Sequence, residues 1–348
     1  MRIHLWQSLK ISMTIIGTTI GAGFASGREI WEFFGFYGEK SYMSILLSML
    51  LFFLASIILL HISWKRGTKN YSEVLRYLLG KRMAKIFDWV VFFFLCSTAV
   101  VMIAGSGATF RQWKGDDAFT VGCWLMVLSV FVVLLFDIKG LMWMNTLLVP
   151  ILLVILIMVC VQFNQSHPLQ FQSTQVHSNL PAWPSAITYA AFNIISLLAV
   201  LSTMGSQIQH RLEIWFAGIC SASCLAVMVL IYNFSLLKMK HLISQYEIPL
   251  FALIQELSPI WVLMITAVLW LAIYTTAISN VHGLVFRLAD WIPWPRWLIA
   301  CCSLLLLTPL SQVGFTQLVQ FLYPLYGVLN LFILSAILLY PFTENRSV

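Results

Sequence analysis

The sequence predicts an all-α integral membrane protein built as one transmembrane domain over residues 1–348. Hydrophobic residues make up 60% of the chain and charged residues only 9%, with a mean hydropathy of +0.89. Soluble domains carry roughly 25% charged residues. Apolar runs of about 20 residues, each sufficient to cross a hydrocarbon core of roughly 30 Å, recur along the whole length. No stretch of the sequence is polar enough to form a separate soluble domain.

Ten apolar segments are predicted to be transmembrane helices. In chain order they are 8–35, 42–64, 86–110, 119–136, 141–163, 185–207, 212–236, 259–286, 297–312 and 315–341. The first and the last exceed the length that a straight crossing needs, so tilt or interruption is expected there. The longer connections are 65–85, 164–184 and 237–258, and the last of these contains enough apolar residues for a surface helix.

The distribution of Lys and Arg predicts the orientation, because cytoplasmic loops are enriched in these residues. With the N-terminus inside, 14 of the 20 basic residues lie on the inner side, five on the outer side and Arg28 within the membrane. The outer connection 164–184 contains neither Lys nor Arg. We therefore predict a multi-pass protein of the inner, cytoplasmic membrane with both termini in the cytoplasm.

Topology also explains the net charge of +7. Nine basic residues lie in the first 20 positions or in 65–85, where anionic lipid head groups are suitable partners. Membrane lipids, and not nucleic acid, are therefore the predicted partners of the basic surface. Three threonines in the first apolar segment argue for an uncleaved span and against a signal peptide. The seven cysteines lie in predicted spans without a CxxC pair, which indicates neither a disulfide framework nor a zinc site.

The ten spans divide into two halves of five, about 8–163 and 185–341. An odd number of spans per half places the second half in the membrane in the opposite orientation, which is the inverted-repeat plan of many secondary transporters. In that plan the first and sixth spans are discontinuous near the midplane. The candidate interruption in the sixth span is Tyr189-Ala190-Ala191-Phe192-Asn193, where Asn193 can satisfy freed backbone groups.

The first span is interrupted by Gly21-Ala22-Gly23-Phe24-Ala25-Ser26-Gly27-Arg28-Glu29. In lipid each unpaired backbone group costs several kcal/mol, so a break persists only where it is buried in protein or lines a cavity. The spacings Gly17-x3-Gly21 and Gly23-x3-Gly27 also fit simple helix packing. Packing does not explain Arg28 and Glu29, since a charge at mid-bilayer costs roughly 2.5–3.5 kcal/mol on insertion scales. These observations favour a broken helix at a ligand-binding site.

The same motif, extended to Glu29, resembles the first-span signature of the YkvI-type bacterial membrane proteins, in the amino acid–polyamine–organocation transporter superfamily. Chain length, span number and Ala104-Gly105-Ser106-Gly107-Ala108 in the third span fit this family as well. The resemblance covers essentially the whole chain in layout, and its specific part is the first-span motif. It implies the LeuT-like fold, a five-plus-five inverted repeat whose first and sixth spans are unwound at the centre.

Sodium-coupled proteins of this fold hold an ion between carbonyls of the first span and hydroxyls of the eighth span. The resemblance implies a similar site in this chain, and hard cations prefer such oxygen ligands. The assigned set comprises the carbonyls of Gly17, Ile20 and Ala272 and the hydroxyls of Thr275 and Thr276. Threonines in a membrane helix alternatively bond their own backbone. The fifth span lacks a charged residue, which disfavours coupling through a lysine. Sodium is therefore the predicted coupling ion, and no other cofactor is predicted.

The substrate is predicted to bind where the first span unwinds. The N-terminus of its outer half presents N–H groups with partial positive charge, which suit a carboxylate. The amides from Gly23 to Gly27 are the predicted donors, and the small neighbouring side chains allow close approach. The predicted substrate-binding set is Gly21, Ala22, Gly23, Phe24, Ala25, Ser26, Gly27, Phe192 and Asn193.

Arg28 and Glu29 are candidates for gating or coupling. Arg28 occupies the region where some members of the superfamily keep an outer gate arginine paired with an acid on the tenth span, but this tenth span has no Asp or Glu. The alternative partners of Arg28 are Glu29, Glu32 or an acid group of the substrate. Glu29 itself orients the break, binds a substrate amine or carries a proton, and the sequence does not separate these roles.

Two functions agree with these observations. The first is a secondary transporter of a small amino acid or related zwitterionic solute, driven by sodium. The alternative is a nutrient receptor of the same fold that does not transport, similar to a spore-germinant-receptor subunit. An enzyme is disfavoured because the sequence has no HExxH motif, no paired catalytic acids and no nucleophile elbow.

Overall fold

The computed structural model describes residues 5–135, 139–167 and 180–344, and these form a bundle of helices without a β-strand. The helices are α1 (Leu5–Thr19), α2 (Ala22–Ala25), α3 (Arg28–Phe33), α4 (Ser41–Arg66), α5 (Tyr71–Lys114), α6 (Ala118–Leu134), α7 (Lys139–Ser166), α8 (Trp183–Leu201), α9 (Arg211–Lys238), α10 (Lys240–Ile243), α11 (Leu250–Ile254), α12 (Pro259–Ala289), α13 (Arg296–Leu307) and α14 (Phe315–Glu344). Three 3₁₀ segments accompany them, at Gly35–Lys40, Gly205–Gln207 and Thr308–Val313. The predicted all-α class is confirmed.

Eight helical stretches of the described chain are long and apolar enough to cross a membrane. They are Gly35–Arg66, Tyr71–Lys114, Leu148–Ser166, Trp183–Leu201, Arg211–Lys238, Pro259–Ala289, Arg296–Val313 and Phe315–Thr343. The predicted first span is divided among α1, α2 and α3, and the predicted fourth corresponds to α6, which has 17 residues. The chain is thus a multi-pass membrane protein, and the count of ten crossings stays a prediction.

The connection 65–85 is largely helical. Helix α5 begins at Tyr71, bends at Gly80 (φ 76°, ψ 168°) and continues into the predicted third span. Its first turn is capped by Asn70, whose Oδ1 accepts a hydrogen bond from Glu73 N at 3.0 Å. Such a cap satisfies one of the N–H groups that the first turn of a helix leaves without a partner.

The connection 237–258 contains the short helices α10 and α11. The prediction of a surface helix is wrong for α11, because its five residues are buried and the helix packs against α7. The N–H of Leu250 donates to the carbonyl of Ser26 at 3.0 Å. This hydrogen bond draws the connection inward, so that it covers the interrupted part of the first span.

Helix α8 lies at the centre of the bundle, where it packs against α14, α4 and α1. The predicted interruption at Tyr189–Asn193 is wrong, since these residues lie inside a continuous helix. The segment contains no glycine to favour another backbone conformation, and Asn193 Nδ2 donates to the Tyr189 carbonyl at 3.1 Å within the same helix. The helix ends instead at Leu201, where it is followed by turns and a 3₁₀ segment.

The two ends of the bundle are held by different contacts. At the end where α1 begins, here called the N-terminal face, Ser63 Oγ donates to the Ser202 carbonyl at 2.9 Å and accepts from Gly205 N at 3.0 Å. At the other end, here called the opposite face, Asn233 Nδ2 donates to Ser41 Oγ at 2.8 Å. Helices α4 and α9 run between these two contacts, which places the end of α8 at the N-terminal face.

Candidate functional site

The first interruption of the chain lies between α1 and α2. The N–H of Gly21 donates to the Thr19 carbonyl at 3.0 Å, instead of the Gly17 carbonyl that a continuous helix would use. Gly21 is extended (φ −96°, ψ −171°), and α2 then begins at Ala22. The helix predicted to break at this glycine-rich stretch is therefore interrupted at Ile20 and Gly21.

A second interruption separates α2 from α3 at Ser26 and Gly27. Gly27 adopts a left-handed conformation (φ 78°), and the freed carbonyl of Ala25 accepts a hydrogen bond from Tyr232 Oη at 3.1 Å. Ser26 Oγ donates to the Gly23 carbonyl at 2.8 Å. Neighbouring helices thus satisfy the backbone of the interrupted span, as the low polarity of a membrane interior requires.

These hydrogen bonds also show which predicted amide donors are engaged. The N–H groups of Ala25, Ser26 and Gly27 donate to backbone carbonyls within the stretch. The first hydrogen bond of α2 runs from Ala25 N to Gly21 O, so the N–H groups of Ala22, Gly23 and Phe24 have no partner within α2. The N-terminal turn of α2 is therefore the part of the stretch that leaves donors for a ligand.

Replacing Gly27 by alanine is expected to lower the free energy of unfolding by about 2 kcal/mol. A left-handed backbone costs an L-residue roughly 1–2 kcal/mol, and the new Cβ would lie 2.6 Å from Tyr232 Oη and disturb its hydrogen bond. Thermal unfolding of the purified protein in detergent measures the effect. Gly21→Ala is the matched control, because a Cβ there meets no atom of the described residues within 4 Å. Equal melting temperatures for the two variants would contradict the second interruption.

Glu29 lies at the centre of the site, and only 4% of its surface is exposed. A Cβ on Gly23 would lie 2.7 Å from Glu29 Oε2 and 2.9 Å from Tyr323 Oη, so the carboxyl and the phenol both lie against the bare backbone of α2. Tyr189 and Asn193 of α8 are close enough to interact with the carboxyl. Neither Glu29 Oε1 nor Tyr189 Oη makes a hydrogen bond of normal geometry within the described chain.

Aromatic rings pack on Tyr189 and Tyr323, the two tyrosines next to this carboxyl. Phe192 stacks on Tyr323 with ring centroids 4.4 Å apart, and Phe33 meets Tyr189 edge-on at 5.2 Å. Phe94 of α5 lies 6.1 Å from Phe192 and completes the group. The rings come from α3, α5, α8 and α14, which no local sequence pattern brings together.

The two phenylalanines predicted for the site lie in different surroundings. Phe192 faces the Glu29 cluster, whereas Phe24 is fully buried beside Tyr232 of α9, with ring centroids 6.5 Å apart. Asn193 is buried and faces Glu29. Tyr232 was not among the sequence-predicted residues, because its contact with α2 spans 207 positions of the chain.

The predicted ion site draws its residues from α1 (Gly17), from the interruption that follows it (Ile20) and from α12 (Ala272, Thr275 and Thr276). Thr275 Oγ1 and Thr276 Oγ1 both donate to the Ala272 carbonyl, at 3.2 and 2.9 Å. Each hydroxyl keeps oxygen lone pairs for another ligand when its proton is donated in this way. Helix α12 packs against α2, while Gly17 faces Val149 of α7. The cation site formed by Gly17, Ile20 and these eighth-span oxygens stays a prediction.

Arg28 lies at the opposite face with only 3% of its surface exposed. Its guanidinium forms an ion pair with Glu32 at 3.1 Å, and it donates to the carbonyls of Tyr246 and Glu247 in the connection between α10 and α11. Glu32 Oε1 also accepts from Gln320 Nε2 of α14 at 3.0 Å. Of the predicted partners of Arg28, Glu32 is the one that the structure shows, and Gln320 extends the pair to α14, the predicted tenth span.

Arg111, near the end of α5 and just after the third predicted span, continues this polar network. Its Nη1 lies 2.6 Å from Glu247 Oε1, so the connection between α10 and α11 is held from both α3 and α5. No local pattern in the sequence reveals the pairing of Arg111 with Glu247, because 136 positions separate the two residues along the chain. The network closes the opposite face over the interrupted span.

Comparison with known proteins gives relatives over nearly the whole chain, although no family model matches. The uncharacterized protein YyaD of Bacillus subtilis (strain 168) is 38% identical over 338 residues, which cover 97% of this chain and 98% of YyaD. The uncharacterized membrane protein YkvI of the same organism is 26% identical over 348 residues and covers 97% of each chain.

Solved structures share the fold at low sequence identity. The inward-facing conformation of Mhp1 matches with a TM-score of 0.64 and 14% identity over 95% of this chain and 75% of that one. MhsT in complex with L-phenylalanine matches with a TM-score of 0.57 and 16% identity, over 95% of this chain and 86% of MhsT. The substrate-bound outward-open state of a Na⁺-coupled sialic acid symporter matches with a TM-score of 0.60 and 13% identity, over 95% of this chain and 78% of the symporter. At these identities the likeness establishes the fold alone.

Proposed function

We propose, on the premise that this chain belongs to the family of YyaD and YkvI and has the LeuT-like fold, that it is a secondary active transporter. Its substrate is a small amino acid or related zwitterionic solute, and sodium is the coupling ion. The observation that carries the proposal is the doubly interrupted first span, whose buried carboxyl faces α8 and α14. An interrupted backbone and a buried carboxyl each lower the stability of a membrane protein, so neither is expected in a chain that only anchors itself in the membrane.

Two of the structural neighbours support this proposal. One is a Na⁺-coupled sialic acid symporter, and another binds L-phenylalanine. Alternating access in proteins with inverted repeats moves one bundle against the other around a central site. The repeats 8–163 and 185–341 would supply these bundles, with N- and C-termini in the cytoplasm as the basic residues indicate.

Uptake into liposomes tests the proposed function. Purified protein is reconstituted, an amino-acid panel is offered outside, and inward gradients of sodium, of potassium or of protons are imposed in turn. We expect at least one amino acid to accumulate above its equilibrium level under the sodium gradient. A solute that binds the protein but does not accumulate under any gradient would contradict transport and support the nutrient receptor instead.

The double variant Thr275→Val with Thr276→Val is expected to weaken the sodium dependence of uptake by at least about tenfold. Loss of even an outer-shell partner costs a metal site 10- to 100-fold, and these hydroxyls are proposed as direct ligands. The sodium concentration that gives half-maximal uptake measures the effect. Ser279→Ala is the matched control, because this hydroxyl bonds to Thr275 O on the same helix and lies outside the proposed set. Unchanged sodium dependence in the double variant would refute the ion site.

A further inference from the structure

Glu29 is a buried acid without a counter-charge. Among the described residues it forms no ion pair, and its Oε1 lacks a hydrogen-bond partner. Arg28, its neighbour in sequence, points to the opposite face, where Glu32 and two backbone carbonyls occupy the guanidinium. An unpaired buried charge is costly, so a carboxyl in this setting requires a cationic ligand or a bound proton.

The groups that face Glu29 come from three other elements. Gly23 of α2 offers bare backbone, Tyr189 and Asn193 of α8 offer a hydroxyl and an amide, and Tyr323 of α14 offers a second hydroxyl. All of them are uncharged. They place uncharged hydrogen-bonding groups around a single negative charge. Such an arrangement suits a ligand that carries one positive charge and several hydrogen-bond donors.

The aromatic rings decide between kinds of cation. Phe192 and Tyr323 are stacked beside the carboxyl, and Phe33 closes the side near Tyr189. Aromatic faces attract organic ammonium groups, whereas a hard metal cation prefers a shell of oxygen ligands. A purely structural carboxyl, which holds the break in shape, would have both of its oxygens paired within the protein. Among the described residues, Glu29 Oε1 has no hydrogen-bond partner.

We propose that Glu29 and Tyr189, enclosed by Phe33, Phe192 and Tyr323, form the subsite that binds the ammonium group of the solute. This inference rests on the proposed function, because it assigns the substrate class of the same site. The carboxylate accepts hydrogen bonds from the ammonium group, and Tyr189 Oη adds an acceptor. The solutes are small amines and amino acids, and hydroxy acids of the same shape are excluded because they leave the carboxylate without a positive partner.

Binding in detergent tests the subsite without transport. The probes are the standard amino acids together with pairs that differ only in the amine, such as glycine with glycolate and L-alanine with L-lactate. The shift of the melting temperature with probe concentration gives the affinity. We expect stabilisation by at least one amine-bearing probe and not by its hydroxy partner. Glu29→Gln should weaken binding of that probe about 10- to 100-fold, the range of a lost charged hydrogen bond.

Two further variants complete the test. Glu256→Gln removes a carboxylate that is 63% exposed, lies against His167 and is not part of the proposed subsite, so this variant should bind like the wild type. Glu29→Asp keeps the negative charge, so it should still bind the amine probe in preference to its hydroxy partner, although with lower affinity. This variant replaces Glu29→Gln in the test if Glu29→Gln does not fold. Equal binding of amine and hydroxy partners by the wild type, or affinity in Glu29→Gln within twofold of the wild type, would overturn the subsite.

Uptake separates this inference from the proposed function. An amine probe whose binding depends on Glu29 but which does not accumulate in liposomes refutes transport and supports the subsite. Accumulation of a solute regardless of its amine and of Glu29 refutes the subsite and leaves transport supported. Amine binding that persists in Glu29→Gln while gradient coupling is lost would assign Glu29 to a proton and overturn the subsite.

Discussion

Replacing Arg28 by alanine is expected to lower the free energy of unfolding by about 3–5 kcal/mol, the usual cost of breaking a buried ion pair from one side. The guanidinium is 3% exposed and binds Glu32 together with the carbonyls of Tyr246 and Glu247. Its removal leaves the Glu32 carboxylate without its positive partner, with Gln320 as a neutral donor, and deprives two backbone carbonyls of the guanidinium. Thermal and chemical unfolding in detergent measure the loss.

Two comparisons give this prediction its specificity. The double variant Arg28→Ala with Glu32→Gln should recover part of the loss, because it removes the carboxylate that the single variant leaves unpaired. Arg76→Ala, which truncates an exposed arginine of α5, should change stability by less than about 0.5 kcal/mol. If Arg28→Ala is as stable as Arg76→Ala, the network at the opposite face does not hold the connection between α10 and α11.

Replacing Gly205 by alanine is expected to lower the free energy of unfolding by about 3 kcal/mol. A Cβ at this position would overlap the Ser63 carbonyl oxygen and lie 2.6 Å from Ser63 Oγ. The overlapping atom belongs to the backbone of α4, so the clash is relieved only by moving α4 away from the end of α8, and overpacking of this kind costs roughly 1–3 kcal/mol or more. The shift would also break the hydrogen bonds of Ser63 to Ser202 and Gly205.

Gly283→Ala provides the matched control for Gly205. Gly283 lies inside α12, and an added Cβ there meets Leu95 Cδ1 at an ordinary 3.4 Å. Alanine is favoured over glycine inside a helix by up to about 1 kcal/mol, so this variant should be as stable as the wild type or more stable. A Gly205→Ala protein that unfolds at the same temperature as Gly283→Ala would show that α4 and α8 do not approach each other this closely.

Fold class and the position of the first break follow from local features of the sequence. Long apolar segments predict helices because the backbone must satisfy its own hydrogen bonds in lipid, and Gly21 and Gly27 mark the two places where α2 begins and ends. The sixth span shows the limit of this reasoning. A transporter plan predicted a break at Tyr189–Asn193, yet the segment has no glycine, and Asn193 bonds within its own helix.

The side chains that form the site meet through contacts between distant parts of the chain, which local sequence patterns do not reveal. The neighbours of Glu29 lie on α8 and α14, and the partners of Arg28 lie in the connection after α10. A motif specifies which backbone is irregular, but the side chains that meet it are set by helix packing across more than 150 positions. This is why Arg28 and Glu29 had several possible roles in the sequence and have separate surroundings in the structure.

Gradient-driven uptake by wild-type and Glu29→Gln liposomes, measured side by side, tests most directly whether this protein is a transporter with its site at the broken first span. The solute is the amine-bearing probe that stabilises the wild type most strongly. We predict that wild-type liposomes accumulate it above equilibrium under a sodium gradient and that Glu29→Gln liposomes do not. Accumulation that is equal in both preparations, or absent from the wild type despite binding, would contradict this prediction.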